Sequence, residues 1–354
     1  MAVYIINIFL IFVWKFLLDL MRVKHKKSFL VIIMSLQLFL LSILRAPEVG
    51  IDTKVYLDRF SYISGYDFSN LFILPDLVDF ELGFVLFNML VSSISDNERF
   101  FIIISTAIII GSVSRYIFKN SKIAWLSFFL FIGLGFWGNS LNVLRQFIAI
   151  AFLIISLSFV FKNKFVYFLM FVIISSFFHL SALSFIVVYP LSKIKVTKIY
   201  ITIFLSLCIV IFIFSSQILS ILINLFGYEQ HIDRLGDGSG VGMLILLLLI
   251  ATAAIFYRGN ALKVDRNFDI YLHILLVGIL LNILALEFDL AGRAMIYFTV
   301  HNIIIVPTII YSIKNKFDRN IGVLLIIIGV LYFYIFRLLL IDVSYLVPYR
   351  FLEW

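Results

Sequence analysis

Long apolar runs separated by short polar loops cover almost the whole chain. A helix that crosses the hydrocarbon core of a bilayer needs about 20 such residues. Two apolar segments do not meet this length in one piece: residues 82–95 are too short to cross alone, and His179 and Ser181 divide residues 165–191. The remaining runs predict membrane-spanning helices at 3–20, 28–44, 100–118, 122–138, 143–161, 199–225, 241–257, 268–286, 294–313 and 321–341.

Composition agrees with this pattern. The 354 residues are 63% hydrophobic and only 14% charged, whereas a soluble domain has about 25% charged residues. We therefore predict an all-α, polytopic integral membrane protein with about 10–13 transmembrane helices, including short, broken or re-entrant segments. The prediction is a single transmembrane domain over residues 1–354, because the longest polar stretch is only 45–81. Because Cys208 is the single cysteine, a disulfide or a thiolate metal cluster within one chain is excluded.

The placement of charge predicts the orientation, because Lys and Arg mark cytoplasmic loops. Loop 45–81 carries three basic and seven acidic residues, which suits the outer face. The basic residues near the N-terminus follow the first apolar run, so we predict a retained first helix and an outside N-terminus. The loops predicted to be cytoplasmic each carry at least two basic residues and lie at 22–27, 115–122, 162–164, 193–198, 258–266 and 314–319.

Counting the crossings between these loops constrains the two irregular segments. Residues 82–95 cannot cross alone, so we predict that they dip into or lie on the outer interface and extend the first outer loop to about residue 95. The same count makes residues 165–191 an in-out-in hairpin of short helices with His179 at its outer tip. Residues 139–146, 227–240 and 287–293 fall on the same side, so their polar residues converge on one face.

Charged residues at the ends of apolar helices are candidates for chemistry, because an ionisable group in a bilayer costs about 2.5–3.5 kcal/mol on insertion scales. Asn142, Arg145 and Gln146 have the spacing i, i+3, i+4 and are predicted to share a helix face. The guanidinium fork of Arg145 suits phosphate or pyrophosphate, with Arg45 or Arg293 as a second clamp. The alternative is an interfacial Arg145 that snorkels to the headgroups.

Candidate general bases are Asp52, Glu81 and His179, because a carboxylate or an imidazole can accept a proton from a hydroxyl. Capping of two half-helices is an equally good explanation for His179.

A second pattern repeats every fourth residue and, if helical, forms one inward polar stripe: Asp289, Arg293, Tyr297 and His301. The GxGxxG match at 133–138 lies in a predicted span without a preceding strand, which excludes a dinucleotide-binding turn.

Short motifs in a fixed order carry a family resemblance. The residues are Arg45, Gly50, Asp52 and Tyr56; Glu81, Gly83 and Phe84; Leu144, Arg145, Gln146 and Ala149; Phe178, His179, Ser181 and Ala182; Arg293 and Tyr297; Pro348 and Tyr349. This set resembles the EpsG-like branch of the Wzy-type polysaccharide (O-antigen) polymerases. These membrane proteins join lipid-linked repeat units of O-antigen or exopolysaccharide.

The resemblance implies a GT-C-like, metal-independent glycosyltransferase without a cofactor in the bacterial inner (cytoplasmic) membrane. The partners it implies are an undecaprenyl-pyrophosphate-linked oligosaccharide, the lipid bilayer and a chain-length regulator protein, with no nucleic acid. Asp52, Glu81 and His179 are then the expected catalytic residues. The residues expected to bind substrate or pyrophosphate are Arg45, Tyr56, Asn142, Arg145, Gln146, Ser181, Arg293 and Tyr297. Two alternatives stay open: a polysaccharide or lipid transporter (flippase) of the same pathway, and an O-acetyltransferase that uses His179.

Overall fold

The computed structural model describes residues 1–21, 23–226, 240–336 and 346–352. Within these residues the chain is helical and forms no β-strand beyond one isolated antiparallel bridge between Arg45 and Phe351. Two 3-10 segments cover Phe68–Asn70 and Leu180–Val187. The α-helices of the described part are α1 (Ala2–Leu20), α2 (Lys26–Ile43), α3 (Thr53–Ile63), α4 (Leu74–Val78), α5 (Leu82–Ser92), α6 (Glu98–Asn120), α7 (Ala124–Gly133), α8 (Phe136–Asn142), α9 (Leu144–Val160), α10 (Phe165–Ser176), α11 (Val188–Leu191), α12 (Lys198–Ile213), α13 (Ser215–Phe226), α14 (Val241–Val264), α15 (Phe268–Ala285), α16 (Asp289–Thr299), α17 (Asn302–Ser312) and α18 (Lys316–Phe336).

Seven spans in the described residues are long and apolar enough to cross a membrane: α1, α2, α6, α14, α15, α16 with α17, and α18. Two further pairs, α7 with α8 and α12 with α13, reach this length only as bent helices, with bends of 53° and 79°. Shorter apolar helices are α5, α9, α10 and the segment Leu180–Leu191. These elements confirm an all-α, polytopic membrane protein.

The predicted spans 122–138 and 199–225 are wrong as continuous helices. The first breaks at Gly135, whose backbone adopts the left-handed region with φ +82°. The second breaks at Phe214, whose φ of −106° and ψ of 20° end α12. Leu134 and Phe136 on either side of the first break are apolar, so hydropathy alone does not reveal it. The second break is followed by three polar residues, Ser215, Ser216 and Gln217, within an otherwise apolar run. Residues 337–341 of the last predicted span, the following residues 342–345, and residues 227–239 of a predicted outer loop lie outside the described residues.

Residues 165–191 form the hairpin of short helices that their polar centre predicts. The ring of Phe165 at the start of α10 lies 4.9 Å from the ring of Tyr189 in α11. The hydroxyl of Tyr189 also donates to the carbonyl of Asn163 just before α10. The two ends of the segment therefore meet, and residues 177–179 form the tip between its halves.

The C-terminal segment 346–352 folds back onto the chain just after α2. Ala46 donates its N–H to the Arg350 carbonyl at 2.9 Å, and Leu352 donates to the Leu44 carbonyl at 3.0 Å. The hydroxyl of Tyr349 donates to the carbonyl of Leu41 within α2. The terminal Pro-Tyr motif thus holds the start of loop 45–81 in place.

Candidate functional site

The start of α5 and the tip of the 165–191 hairpin cap each other through hydrogen bonds. The carbonyl of Phe177 accepts the N–H groups of Gly83 at 2.9 Å and Phe84 at 3.2 Å, at the start of α5. In return, Glu81 Oε1 accepts the N–H of Leu180 at 3.2 Å. A Cβ on Gly83 would lie 2.7 Å from Phe177 Cβ and 2.8 Å from its carbonyl oxygen. This close approach explains the Glu-x-Gly motif and joins it to the hairpin tip.

Arg145 lies in the first turn of α9 and pairs with the same carboxylate. Its Nη1 donates to Glu81 Oε2 at 2.6 Å, and both side chains are only about one-fifth exposed (22% and 23%). The guanidinium also covers the ring of Phe80 at 4.5 Å and reaches the carbonyl of Asp79 at 3.4 Å. A cation at a helix N-terminus opposes the helix dipole, so the Glu81 carboxylate offsets an otherwise unfavourable placement. The buried Nε has no partner among the described residues.

The hairpin tip adds a chain of neutral polar groups. His179 Nδ1 is hydrogen-bonded to the Ser181 hydroxyl at 2.9 Å, which lies 3.1 Å from the Tyr297 hydroxyl. We call Arg145, Glu81, His179, Ser181 and Tyr297 the Arg145 cluster. Burial lowers the pKa of His179 to about 3, and the charges of Arg145 and then Arg293 contribute to the lowering. The imidazole is therefore neutral at physiological pH, although Nδ1 lies only 3.9 Å from Glu81 Oε1.

Gln146 connects α9 to α16 at the edge of this cluster. Its buried side-chain amide donates to the backbone carbonyl of Arg293. The Arg293 side chain is exposed, and it forms no hydrogen bond or ion pair with a described residue. Gln146 therefore holds α16 where the Arg293 guanidinium, which has no partner among the described residues, lies next to the Arg145 cluster.

The first loop places Asp52 and Tyr56 on the other side of Arg145. Thr53 donates its hydroxyl to the Leu141 carbonyl at 3.3 Å, which ties the loop to the end of α8. Burial raises the pKa of the half-buried Asp52 carboxyl, while the charges of Arg293 and Arg145 oppose that rise. Burial also raises the pKa of Tyr56, and the neighbouring Arg145 opposes that rise. Asp52 therefore lies within electrostatic reach of both arginines.

Asn142 is not on the helix face predicted for it. Helix α8 ends at Asn142 and α9 starts at Leu144, because Val143 has φ −91° and ψ 64° and interrupts the helical path. The amide of Asn142 instead underlies the first loop, where an added Cβ on Gly50 would lie 2.3 Å from its Oδ1. Gly50 also has φ +102°, a conformation that favours glycine. Asn142 therefore supports the loop that carries Asp52.

Arg45 lies apart from the Arg145 cluster. Its guanidinium is buried and donates to the backbone carbonyls of Ser42 and Leu141. Because Leu141 also accepts the Thr53 hydroxyl, these bonds brace the beginning and the end of the 45–53 turn. The structure thus places Arg45 among backbone carbonyls, and Arg293 next to the Arg145 cluster.

The predicted polar stripe from Asp289 ends at Tyr297. Helix α16 stops at Thr299, and His301 beyond the break forms a separate cluster. Its Nδ1 is hydrogen-bonded to the Tyr116 hydroxyl at 2.6 Å, and its ring lies 6.5 Å from that of Tyr271. We call Tyr116, Tyr271 and His301 the Tyr116 cluster; its members are fully buried. The side chain of Asp289 lies outside the described residues.

Two residues of the site were not among the sequence candidates. Phe80 supplies the aromatic face under Arg145, and the backbone of Phe177 caps α5. The sequence indicates these two residues only by their positions next to Glu81 and Phe178. Phe177 acts through its backbone carbonyl, which every residue type has, so its side chain gives no signal. Within the described part of the chain, no group of three or more His, Cys, Asp or Glu side chains is placed to hold a metal ion.

Comparison with known proteins gives one match. The model of the EpsG family matches residues 28–351, which is most of the chain. No curated protein and no solved structure matches at a significant level. The matched region contains the Arg145 cluster, Asp52 and the terminal Pro-Tyr segment. The chain therefore belongs to the EpsG family of membrane polysaccharide polymerases.

Proposed function

We propose that this protein is a polysaccharide polymerase that joins undecaprenyl-pyrophosphate-linked repeat units on the outer face of the bacterial inner membrane. The hydroxyl of one unit attacks the anomeric carbon of another, and undecaprenyl pyrophosphate leaves. The proposal rests on the EpsG family match and on one feature of the site. That feature is the partly buried Arg145, whose Nε lacks a partner among the described residues, beside the unpaired cation of Arg293.

A pyrophosphate leaving group needs positive charge that is already in place when the glycosidic bond breaks. Arg145 is held by Glu81 and Phe80, so its guanidinium is oriented before the substrate arrives. Arg293 is anchored only through its backbone to Gln146, so its exposed side chain is free to close on the anion. Removing one such donor from an enzyme typically reduces the rate about 10²–10³-fold. Arg145 is therefore the fixed half and Arg293 the movable half of the pyrophosphate clamp.

The test uses the native substrate, so the identity of its sugars need not be established first. A strain that lacks this protein should accumulate its own lipid-linked repeat unit, which can be extracted and mixed with the purified full-length protein. We expect a ladder of polymer products with the wild-type protein and no ladder with Arg145→Ala. Binding of the extracted unit without any polymer would contradict the proposal.

A flippase of the same pathway is the second candidate, and the two bent helix pairs support it. Transporters often build a mid-membrane site from broken helices, and the pairs α7–α8 and α12–α13 are bent by 53° and 79°. Transfer of the lipid-linked unit across proteoliposomes by a protein that gives no ladder would favour this function. A ladder without transfer favours the polymerase.

The assignment of the site to the outer face has its own test. In a Cys208→Ala background, single cysteines at the exposed positions 61 and 195 report on the two sides. We expect an impermeant thiol reagent to label position 61 in intact spheroplasts and position 195 only after permeabilisation. The opposite pattern would place the site in the cytoplasm and exclude an outer-face reaction.

A further inference from the structure

The three candidate bases of the site differ in what they already bind. Both oxygens of Glu81 are engaged: Oε2 accepts from Arg145 at 2.6 Å, and Oε1 accepts from the Leu180 N–H at 3.2 Å. Protonation of this carboxylate would remove the ion pair that orients Arg145. Glu81 therefore holds two parts of the site together, and each of its oxygens already has a partner in the protein.

His179 is also occupied and is a weak base. Its Nδ1 is hydrogen-bonded to the Ser181 hydroxyl, which continues to Tyr297. Burial and the nearby Arg145 and Arg293 lower its pKa to about 3. A group with so low a pKa accepts a proton poorly near pH 7. The location of His179 at the hairpin tip fits a positioning residue.

Asp52 is the exception, because its carboxylate is not used by the fold. It occupies the N-cap position of α3, where aspartate usually accepts an N–H of the first helical turn. Here its side chain makes no such capping bond. The side chain also forms no hydrogen bond or ion pair with any other residue in the described ranges. A half-buried carboxylate with no partner among the described residues is available to a ligand.

The surroundings of Asp52 suit the acceptance of a proton. The loop that carries it is fixed to the end of α8 by Thr53 and by the tight contact of Gly50 with Asn142. Burial raises the pKa of Asp52, while Arg293 on α16 and Arg145 on α9 limit the rise. Tyr56, one turn further along α3, is the remaining titratable neighbour. Asp52 is thus a stronger base than an exposed aspartate and faces the arginines of the clamp.

We infer that Asp52 is the catalytic base of the polymerase reaction, whereas Glu81 and His179 are positioning residues. In this step the O–H bond of the acceptor breaks, and its oxygen bonds to the anomeric carbon of the donor. The bond between that carbon and the pyrophosphate oxygen breaks, and its electron pair leaves on undecaprenyl pyrophosphate at Arg145 and Arg293. The proton goes to the Asp52 carboxylate and from there to water. This assignment rests on the proposed polymerase function.

The experiment compares pH–rate profiles of full-length variants acting on the lipid-linked repeat unit extracted from the deletion strain. We expect Asp52→Asn to lower the rate by about 10²–10⁴-fold and to abolish the fall of the wild-type rate at acidic pH. Glu81→Gln should lower the rate less and keep that acidic fall. Asp58→Asn is the matched control, because Asp58 is an exposed aspartate on the same helix; its profile should equal that of the wild type.

Two further variants separate loss of a base from loss of the fold. Asp52→Glu keeps a carboxylate and should retain part of the rate with an acidic fall. Asp52→Ala should regain activity when formate is added, because formate supplies the missing carboxylate. A wild-type protein that gives no ladder would reject the polymerase function itself. An active wild type with an unchanged profile in Asp52→Asn, or with the acidic fall lost in Glu81→Gln, would overturn the assignment of the base.

Discussion

The Arg145 cluster and the Tyr116 cluster both contain a histidine next to a break in a helical segment, yet their surroundings differ. The Arg145 cluster contains an ion pair, is partly exposed, and has Asp52 and Arg293 as neighbours with no side-chain partner in the described chain. The Tyr116 cluster contains only neutral side chains, and each is at most 3% exposed. His301 bonds to Tyr116 at 2.6 Å and packs against the ring of Phe185 at 5.7 Å.

This difference separates polar groups that are available to a ligand from polar groups that stabilise the fold. A hydrogen bond between two buried polar groups, such as that between Tyr116 and His301, contributes to the stability of the fold. A charged group that is partly exposed and lacks a protein partner is available to a ligand. We therefore expect substitutions in the Arg145 cluster to reduce activity, and substitutions in the Tyr116 cluster to reduce stability.

Among the members of the two clusters, substitution of Arg145 should have the largest effect. Arg145→Ala should lower polymerisation by at least about 10²–10³-fold, and Arg145→Lys should fail almost as badly because lysine lacks the planar fork. The matched control is Arg258→Lys, since Arg258 also pairs with a carboxylate, that of Asp269, at 2.6 Å. It should keep activity within about twofold of the wild type, because exposed and half-exposed pairs contribute little. Full activity of Arg145→Lys would remove the argument for a two-bond contact with pyrophosphate.

A methyl group at Gly83 should have the next largest effect. Its Cβ would meet the backbone of Phe177 at 2.8 Å, so α5 and the hairpin tip must separate. A displacement of about 1 Å at a catalytic site can cost about 100-fold in rate, and we expect a loss of about 10–100-fold for Gly83→Ala. Gly111→Ala is the control, because no atom lies within 4 Å of the added methyl. Equal rates for the two variants at equal membrane levels would show that the reciprocal caps do not position the site.

The two histidines should separate stability from activity. His301→Ala leaves the buried Tyr116 hydroxyl without its acceptor, which costs about 1–3 kcal/mol, and activity per folded molecule should be unchanged. His179→Ala should lower activity about 10-fold or more with a smaller loss of stability. Thermal unfolding in detergent and the ladder assay measure the two quantities. The double variant Tyr116→Phe, His301→Leu should regain part of the stability, because it removes both members of the hydrogen-bonded pair and leaves neither of them unpaired. An inactive but stable His301→Ala would mean that the Tyr116 cluster has a role in the reaction.

The smallest expected effect is a gain of stability in Asp52→Asn. The pKa of Asp52 is raised in the folded protein, so the folded state holds the proton more tightly than the unfolded state does. The carboxyl therefore favours folding at low pH, and this contribution is lost as the pH rises through the folded-state pKa. Asp52→Asn should raise the Tm at pH 7 by about one or two degrees, and the gain should vanish near pH 4. A lower Tm at pH 7 would indicate that the carboxylate stabilises the fold.

Local sequence patterns predicted much of the architecture because hydropathy depends on side-chain chemistry alone. The bounds of α1, α2, α6 and α15 differ from the predicted spans by at most two residues. The hairpin at 165–191 was also predictable, since His179 and Ser181 interrupt an apolar run. The break at Gly135 was not, because Leu134 and Phe136 beside it are as apolar as a straight helix requires. At Phe214 the polar residues Ser215, Ser216 and Gln217 were the sequence signal, but they interrupt the apolar run too briefly to divide it.

The sequence by itself determined the fold class, the family, and the residue types of the proposed pyrophosphate site. Only the tertiary structure decided what each of these residues contacts. Arg45 and Arg145 have the same side chain, but Arg45 is bonded to backbone carbonyls and Arg145 to a partly exposed carboxylate. Asp52 and Glu81 are both acids of the first loop, but both oxygens of Glu81 are bonded within the site, whereas the Asp52 side chain makes no capping hydrogen bond. The reason is physical: which partner a polar group meets depends on contacts between residues far apart in the chain, and such contacts exist only after folding.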